Sequence, residues 1–248
     1  MFDVVKLWQK VSENVTFVLE FLGIIVALFV VALLLEKLEK RKAEKKEVFF
    51  TPQKMAAIGI LSAMSAILML FEIPLFFAPS FYKLDFSEIP ILVGAFAFGP
   101  AAGVVMEFVK ILLKLVIKGT STAFVGELAN FAVGCSFIIP TATIYFFRKT
   151  KKMALVACVI GTVILTVFGT SFNALYLLPA FSKLFHMPME AILEMGQKVN
   201  PLMQEGSIVS FVVVCVAPLN LLKGALVSAV TMFIYKPLSK ILKSGGRK

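Results

Sequence analysis

Apolar residues run along the chain in blocks of about 20, the length an α-helix needs to cross a bilayer, and short polar breaks separate them. The pattern predicts an all-α polytopic membrane protein. It lacks the alternation within ~10-residue strands that marks an outer-membrane barrel. The first block, Thr16 to Leu35, is interrupted only by Glu20 and runs into a charged string from Glu36 to Glu47. No small-residue cleavage signal separates the two, and the basic residues follow the apolar run, so the block reads as a retained anchor whose helix continues into the cytoplasm. The second block starts after Thr51-Pro52, a helix-start signal, and runs from Met55 to Phe77. Later blocks are Ile89 to Ile117, Ala123 to Phe147, Met153 to Phe181 and Ser207 to Tyr235.

Gly99-Pro100 divides the third block, because proline removes a helix hydrogen bond and restricts the residue before it. Charge supports the division. Cytoplasmic loops collect Lys and Arg, and the basic clusters at 37–46, 148–152 and 236–248 fall on one side only if that block makes two spans. The result is seven spans with the N-terminus outside and the C-terminus in the cytoplasm of a bacterial cell. Residues 1–50 form an extra N-terminal transmembrane helix and a charged cytoplasmic linker, and 51–248 form a six-helix membrane domain. Between the last two spans, Met187 to Gly196 carries proline near its start and glycine at its end, framing a short helix on the membrane or over a cavity mouth.

Composition narrows the chemistry. The chain is 59% apolar and 16% charged, with a mean hydropathy of +0.93, and its net charge of +10 is mostly the basic clusters, so nucleic acid is not an expected partner. His186 is the only histidine, Asp3 and Asp85 the only aspartates, and Cys135, Cys158 and Cys215 all lie inside apolar runs. A metal cluster, a Ser/His or Cys/His pair and a phosphate-binding glycine motif are all missing from the sequence. No enzymatic activity, metal or cofactor is expected of it.

The polar residues inside the apolar blocks carry the functional signal, since a charge at bilayer depth costs roughly 2.5–3.5 kcal/mol on insertion scales. They recur three apart, on one helix face: Glu107 with Lys110, Glu127 with Asn130, Asn173 with Tyr176, and Asn220 with Lys223. Interhelical hydrogen bonding explains a single asparagine equally well. Glu107 and Lys110 read as an intrahelical ion pair, and Lys114 and Lys118 as side chains reaching the interface. Lys223 has no acid in its own helix. Three amides, a tyrosine and a lysine suit a flat, neutral, polar solute more than an ion. A second feature is the small-residue seam of Gly59, Ala63 and Ala66, which lets another helix approach closely; packing within the bundle explains it equally well.

Leu84-Asp85-Phe86-Ser87-Glu88-Ile89-Pro90, 96–103, 126–131, 187–192 and 217–224, in this order, resemble the riboflavin-specific substrate-binding (S) component of energy-coupling factor (ECF) transporters. The resemblance spans Thr51 to the C-terminus. It implies a six-helix S-component-like bundle with an outer flavin pocket, a membrane scaffold subunit and two ATPase subunits as partners, and riboflavin as transported ligand. It assigns the pocket to Asn173, Asn220 and Lys223, with Glu127, Asn130, Leu84 and Asp85 contributing, and the scaffold contact to Gly59 and Ala63; the polar spacing adds Tyr176 to the pocket and the small-residue seam adds Ala66 to the contact. Thr16–Leu35 and Ile111, where the family carries asparagine, depart from the pattern, so Lys110 is not assigned to the pocket. FMN is a second candidate ligand, but Lys83 and Lys183 alone supply positive charge near the outer pocket, which favours the uncharged vitamin. The competing reading is a self-sufficient ion-coupled carrier with Glu127 or Glu107 as its proton site; the absence of an inverted repeat argues against it.

Overall fold

Beyond Glu88 in its first turn, helix α3 (Glu88–Phe98) is apolar on every face, and a helix of that kind belongs in the centre of a bundle. Ile91, Leu92, Val93, Ala95 and Phe96 have no exposed surface. The computed structural model describes residues 15–43, 51–120, 122 and 124–244. Around α3 stand α2 (Pro52–Leu70), α4 (Pro100–Lys118), α5 (Val125–Phe147) and α10 (Ala217–Ser244), and α6 (Lys151–Phe172) packs on α5 and α10. Four of the described helical stretches, Pro52–Leu70, Val125–Phe147, Lys151–Leu184 and Ile208–Ile234, are long and apolar enough to cross a bilayer. The chain is a multi-pass membrane protein.

The break at Gly99-Pro100 is present: α3 ends at Phe98, Gly99 turns with φ of 105°, and Pro100 starts α4. Side-chain hydroxyls start two further helices, Thr51 accepting from Lys54 N–H at 3.3 Å and Thr150 from Met153 N–H at 3.2 Å. The second span is shorter than the sequence predicts. It stops at Leu70, and the chain from Phe71 forms a loop with a two-residue antiparallel ladder, β1 (Ile73–Pro74) and β2 (Lys83–Leu84). Glu72 and Pro74 explain the early stop, because one needs a polar partner and the other cannot continue a helix.

The long α6 runs through a π turn, Asn173–Leu177, into α7 (Leu178–Leu184). A second π turn, Val212–Val216, joins α9 (Ile208–Phe211) to α10. Between them, α8 (Met189–Val199) is the short helix expected near Met187. It buries Ile192 and Leu193 in a cluster with Leu178, Met203, Phe211 and Val212, against which Tyr82 packs.

Helix α1 (Val15–Ala43) is the extra N-terminal helix, and it lies along α4 and α5 with Ala32 fully buried. The helix does extend into the charged string as far as Ala43; 44–50 and 245–248 lie outside the described residues, as do the side chains of the basic cluster beginning at Lys236. Glu36 is buried against Gly99, its Oε2 2.9 Å from where a Cβ would stand. Lys54 Nζ lies 6.0 Å over the Phe98 ring, and Phe96 meets Tyr145 near the end of α5 at 4.4 Å. These contacts gather the end of α1, the start of α2, the α3–α4 turn and the end of α5 at one end of the bundle. The loop at 71–87 and α8 close the other.

Candidate substrate-binding site

Both π turns serve this closed end. A π turn inserts a residue into a helix and widens it locally, and such turns concentrate at functional sites. Asn173 opens the first, Asn220 follows the second, and the two turns pack against each other. Between them and α5 is a cavity of about 130 Å³ lined by Tyr82, Asn130, Asn173, Leu219, Asn220 and Lys223 among others. It adjoins a larger hollow of about 460 Å³ that shares Phe81, Lys83, Gly126, Asn130 and Phe181 and reaches Asp85 and Lys114. Together they fall within the ~300–1,000 Å³ of small-molecule sites.

The amides are held differently. Asn173 is engaged at both ends of its amide, its Oδ1 accepting from the Tyr82 hydroxyl at 2.6 Å and its Nδ2 donating to Gly169 O at 2.7 Å. Burial pushes the Tyr82 phenol above its ordinary pKa, so it stays a neutral donor. Asn130 Nδ2 donates to Gly126 O at 2.9 Å within its own helix. Asn220 is 4% exposed, and its Nδ2 is buried without a hydrogen-bond acceptor. An unmet buried donor costs about 1–3 kcal/mol. Asn220 approaches α6 closely only because residue 169 is glycine; a Cβ there would stand 2.5 Å from Asn220 Nδ2.

Lys223 finds its acids outside its own helix. Its Nζ lies 3.1 Å from Asp85 Oδ2 and 3.5 Å from Glu88 Oε1. Asp85 also accepts from Ser87 N–H at 2.9 Å and from the Ser87 hydroxyl. Burial alone would raise the Asp85 carboxyl, but Lys223 and Lys110 hold it below the usual carboxylate range. Glu107 and Lys110 do pair, at 2.6 Å, and Lys110 also reaches across to Glu88 Oε1 at 3.0 Å. A buried charge network therefore underlies the cavity floor. Glu88, Ser87, Tyr82 and Gly169 escaped the sequence reading; only Glu88 and Ser87 had a signal, inside the stretch 84–90.

Several predicted residues stand elsewhere. Glu127 does not line either hollow: it pairs with Lys114 and accepts from the Thr120 and Thr122 hydroxyls at 2.9 and 3.2 Å, bracing the α4–α5 connection. Lys114 is thus paired inside instead of reaching the interface. Tyr176 stacks on Phe172 at 5.3 Å, away from Asn173, because the π turn removes the three-residue register that an α-helix would keep. Leu84 is buried beside the hollow without lining it. Gly59 and Ala63 are exposed on α2, with open space at Gly59. Ala66 is buried, at the edge of the inner arc formed by Ile58, Leu61, Ser62, Ser65 and Met69.

Glu72 carries more than the sequence indicates. Its Oε2 meets Lys83 Nζ at 2.7 Å and Lys118 Nζ at 3.0 Å, tying the 71–87 loop to the end of α4. Partial burial would raise its pKa, but the two ammonium groups lower it. The tether is intact above the ordinary carboxylate range and lost as pH falls through the depressed value. Glu72→Gln is expected to speed amide hydrogen exchange across 73–84 while exchange in α5 and α10 stays unchanged. Exchange at the wild-type rate in that loop would show that the tether does not hold it.

A family profile for "ECF transporter, substrate-specific component" matches residues 53–235, nearly the whole bundle apart from α1. The chain belongs to the substrate-specific components of ECF transporters. This S component is 32% identical over 193 residues to "Riboflavin transporter RibU" of Streptococcus thermophilus, covering 77% of the chain and 84% of that protein. It is 30% identical over 191 residues to the protein of the same name from Staphylococcus aureus (77% and 93% covered). To "Riboflavin transporter FmnP" of Bacillus subtilis it is 28% identical over 184 residues (74% and 90%). Among solved structures, the S component of a bacterial ECF transporter superposes with a TM-score of 0.60 and 29% identity, covering 77% of this chain and 97% of that one.

Proposed function

We propose that this S component captures riboflavin on the outer side of a bacterial plasma membrane and delivers it inward with a membrane scaffold subunit and two ATPases. The observation that carries the reading is the unmet Asn220 Nδ2 in a cavity with Asn173, Asn130 and Lys223, in a chain whose relatives are named riboflavin transporters. The isoalloxazine edge alternates carbonyl and N–H groups, which amides match as donor and acceptor. Asn220 donates to a ring carbonyl, Lys223 approaches a second, and Asn173 and Asn130 bound the ring. Asp85 orients Lys223. Leu84, Glu127 and Tyr176 hold the surrounding walls.

Riboflavin is cargo here, not a cofactor, and no reaction is assigned to the chain. The hollow's lysines are largely answered by acids: Lys114 by Glu127, and Lys83 and Lys118 by Glu72. That balance favours the uncharged vitamin over FMN. Gly59 and Ala63 on the outer face of α2 receive the scaffold, and Ala66 supports that face from within. The basic end of the bundle is cytoplasmic by the positive-inside rule, which puts the N-terminus of α1 outside. Residues 1–50 are an appendage to the binding unit 51–248.

Reconstitution separates this reading from an autonomous carrier. Proteoliposomes holding the chain alone are expected to take up no riboflavin under a proton or sodium gradient, whereas adding scaffold, ATPases and ATP restores uptake. Gradient-driven uptake by the chain alone would overturn it. Gly169→Ala, which pushes Asn220 aside, is expected to weaken riboflavin binding about tenfold, equivalent to about 1.4 kcal/mol; a Kd within twofold of wild type would remove Asn220 from the pocket.

A further inference from the structure

Beneath the cavity three carboxyl groups, Asp85, Glu88 and Glu107, face two ammonium groups, Lys110 and Lys223. Fully ionised, this buried cluster carries one net negative charge, a state the interior of a membrane bundle penalises severely. The orphaned atoms show where the imbalance falls. Glu88 Oε2 and both Glu107 oxygens have no hydrogen-bond donor in good geometry, although Glu107 Oε2 lies 2.6 Å from Lys110 Nζ. Glu88 Oε1 and Glu107 Oε2 lie on the same Lys110 ammonium, at 3.0 and 2.6 Å, so the two carboxyls are close neighbours. Two carboxylates so placed repel; a carboxylic acid and a carboxylate bind.

Surroundings decide which of them holds the proton. Glu88 lies in the first turn of α3, where the helix dipole favours an anion, and its Oε1 touches both Lys110 and Lys223. Asp85 has Lys223 and the Ser87 N–H and hydroxyl. Glu107 sits in mid-α4, fully buried, with one lysine and the Glu88 carboxylate beside it. From the elements packed around it, α3 brings Glu88, α5 brings Cys135, α10 brings Lys223 and the 71–87 loop brings Asp85; on α2 the buried polar groups are the neutral Ser62 and Ser65, whose hydroxyls donate to Ile58 O and Ser87 O.

We infer that Glu107 is held protonated and donates its O–H to Glu88, and that Glu88, Lys110 and Glu107 act as positioning residues fixing Lys223 beneath the ligand cavity. The positioning half rests on the riboflavin reading; the protonation half does not. The balance closes: two carboxylates, two ammonium groups and one neutral acid. Glu88 Oε1 then bridges the lysines, and Lys223 is fixed without any of the three touching ligand.

Infrared spectroscopy of the purified full chain without flavin tests the proton directly. A carboxylic acid C=O stretch that shifts in D2O is expected at neutral pH. It should vanish in Glu107→Gln, where the acid is gone, and also in Glu88→Gln, where Glu107 becomes the second anion needed. A wild-type spectrum without the band, or a band that survives Glu107→Gln, overturns the assignment. So does a wild-type thermal midpoint that depends on sodium or potassium in place of the band, since a bound cation would then supply the charge. Riboflavin titration tests positioning: Glu88→Gln, which takes the bridging anion from Lys223, should bind about tenfold more weakly than wild type, whereas Glu88→Asp, which keeps the anion, should recover part of the loss. Unaltered affinity in Glu88→Gln overturns the positioning role. Wild-type protein that shows the band but binds no riboflavin overturns the pocket reading alone.

Discussion

Asn220→Ala is expected to weaken riboflavin binding by about 10- to 100-fold, measured by flavin fluorescence quenching in detergent, with little change in the thermal midpoint of the empty protein. The asymmetry follows from the unbound state. Asn220 Nδ2 already lacks an acceptor there, so removing the amide forfeits no internal hydrogen bond, while the ligand loses a partner inside a buried site worth about 1–3 kcal/mol. Asn173→Ala should behave differently. Its amide holds Tyr82 and Gly169, so stability and affinity fall together. Equal, negligible losses of affinity in both variants would remove the amides from the site.

The largest loss of stability is expected from Lys110→Met. Lys110 is fully buried and answers Glu88 and Glu107 together. Removing one partner of a buried ion pair costs about 3–5 kcal/mol, because the charge left behind has no water to turn to. Lys110→Met combined with Glu88→Gln restores neutrality, with Asp85 on Lys223 and Glu107 protonated. The double variant should therefore recover much of the loss, a coupling that a mutant cycle measures directly. A single variant that melts with wild type would show that the cluster carries no such charge, and additive losses that the pair is uncoupled.

Much of this was readable from the chain, and the remainder failed for specific reasons. Long apolar blocks report spans directly, and Gly99-Pro100 reports a break because both residues act locally on the backbone. Asn220 and Lys223 stand out in the sequence because a polar group is costly at that depth, and the structure brings both to the cavity lining. Tyr176 stands off the Asn173 face because a π turn breaks the three-residue spacing, and the one local sign of it is Pro179 just beyond the turn. Lys223 found Asp85 and Glu88 across more than a hundred residues of chain, a closure that no helical spacing encodes. Glu127 looked like a pocket residue because three-residue spacing places Asn130 on its face, but the Thr120 and Thr122 hydroxyls and Lys114 claim it one turn away. Glu72 stands at the end of an apolar block, where position alone gives it no role; its importance comes from Lys83 and Lys118 arriving from other elements.

The most direct test of the central claim is an equilibrium titration of riboflavin fluorescence with the purified, flavin-free chain, without ATP, ion gradient, scaffold or ATPases. Saturable quenching at one site per chain, weakened by Asn220→Ala and unaltered by ATP, is the expected result. Riboflavin fluorescence that stays unquenched at every protein concentration would contradict the account.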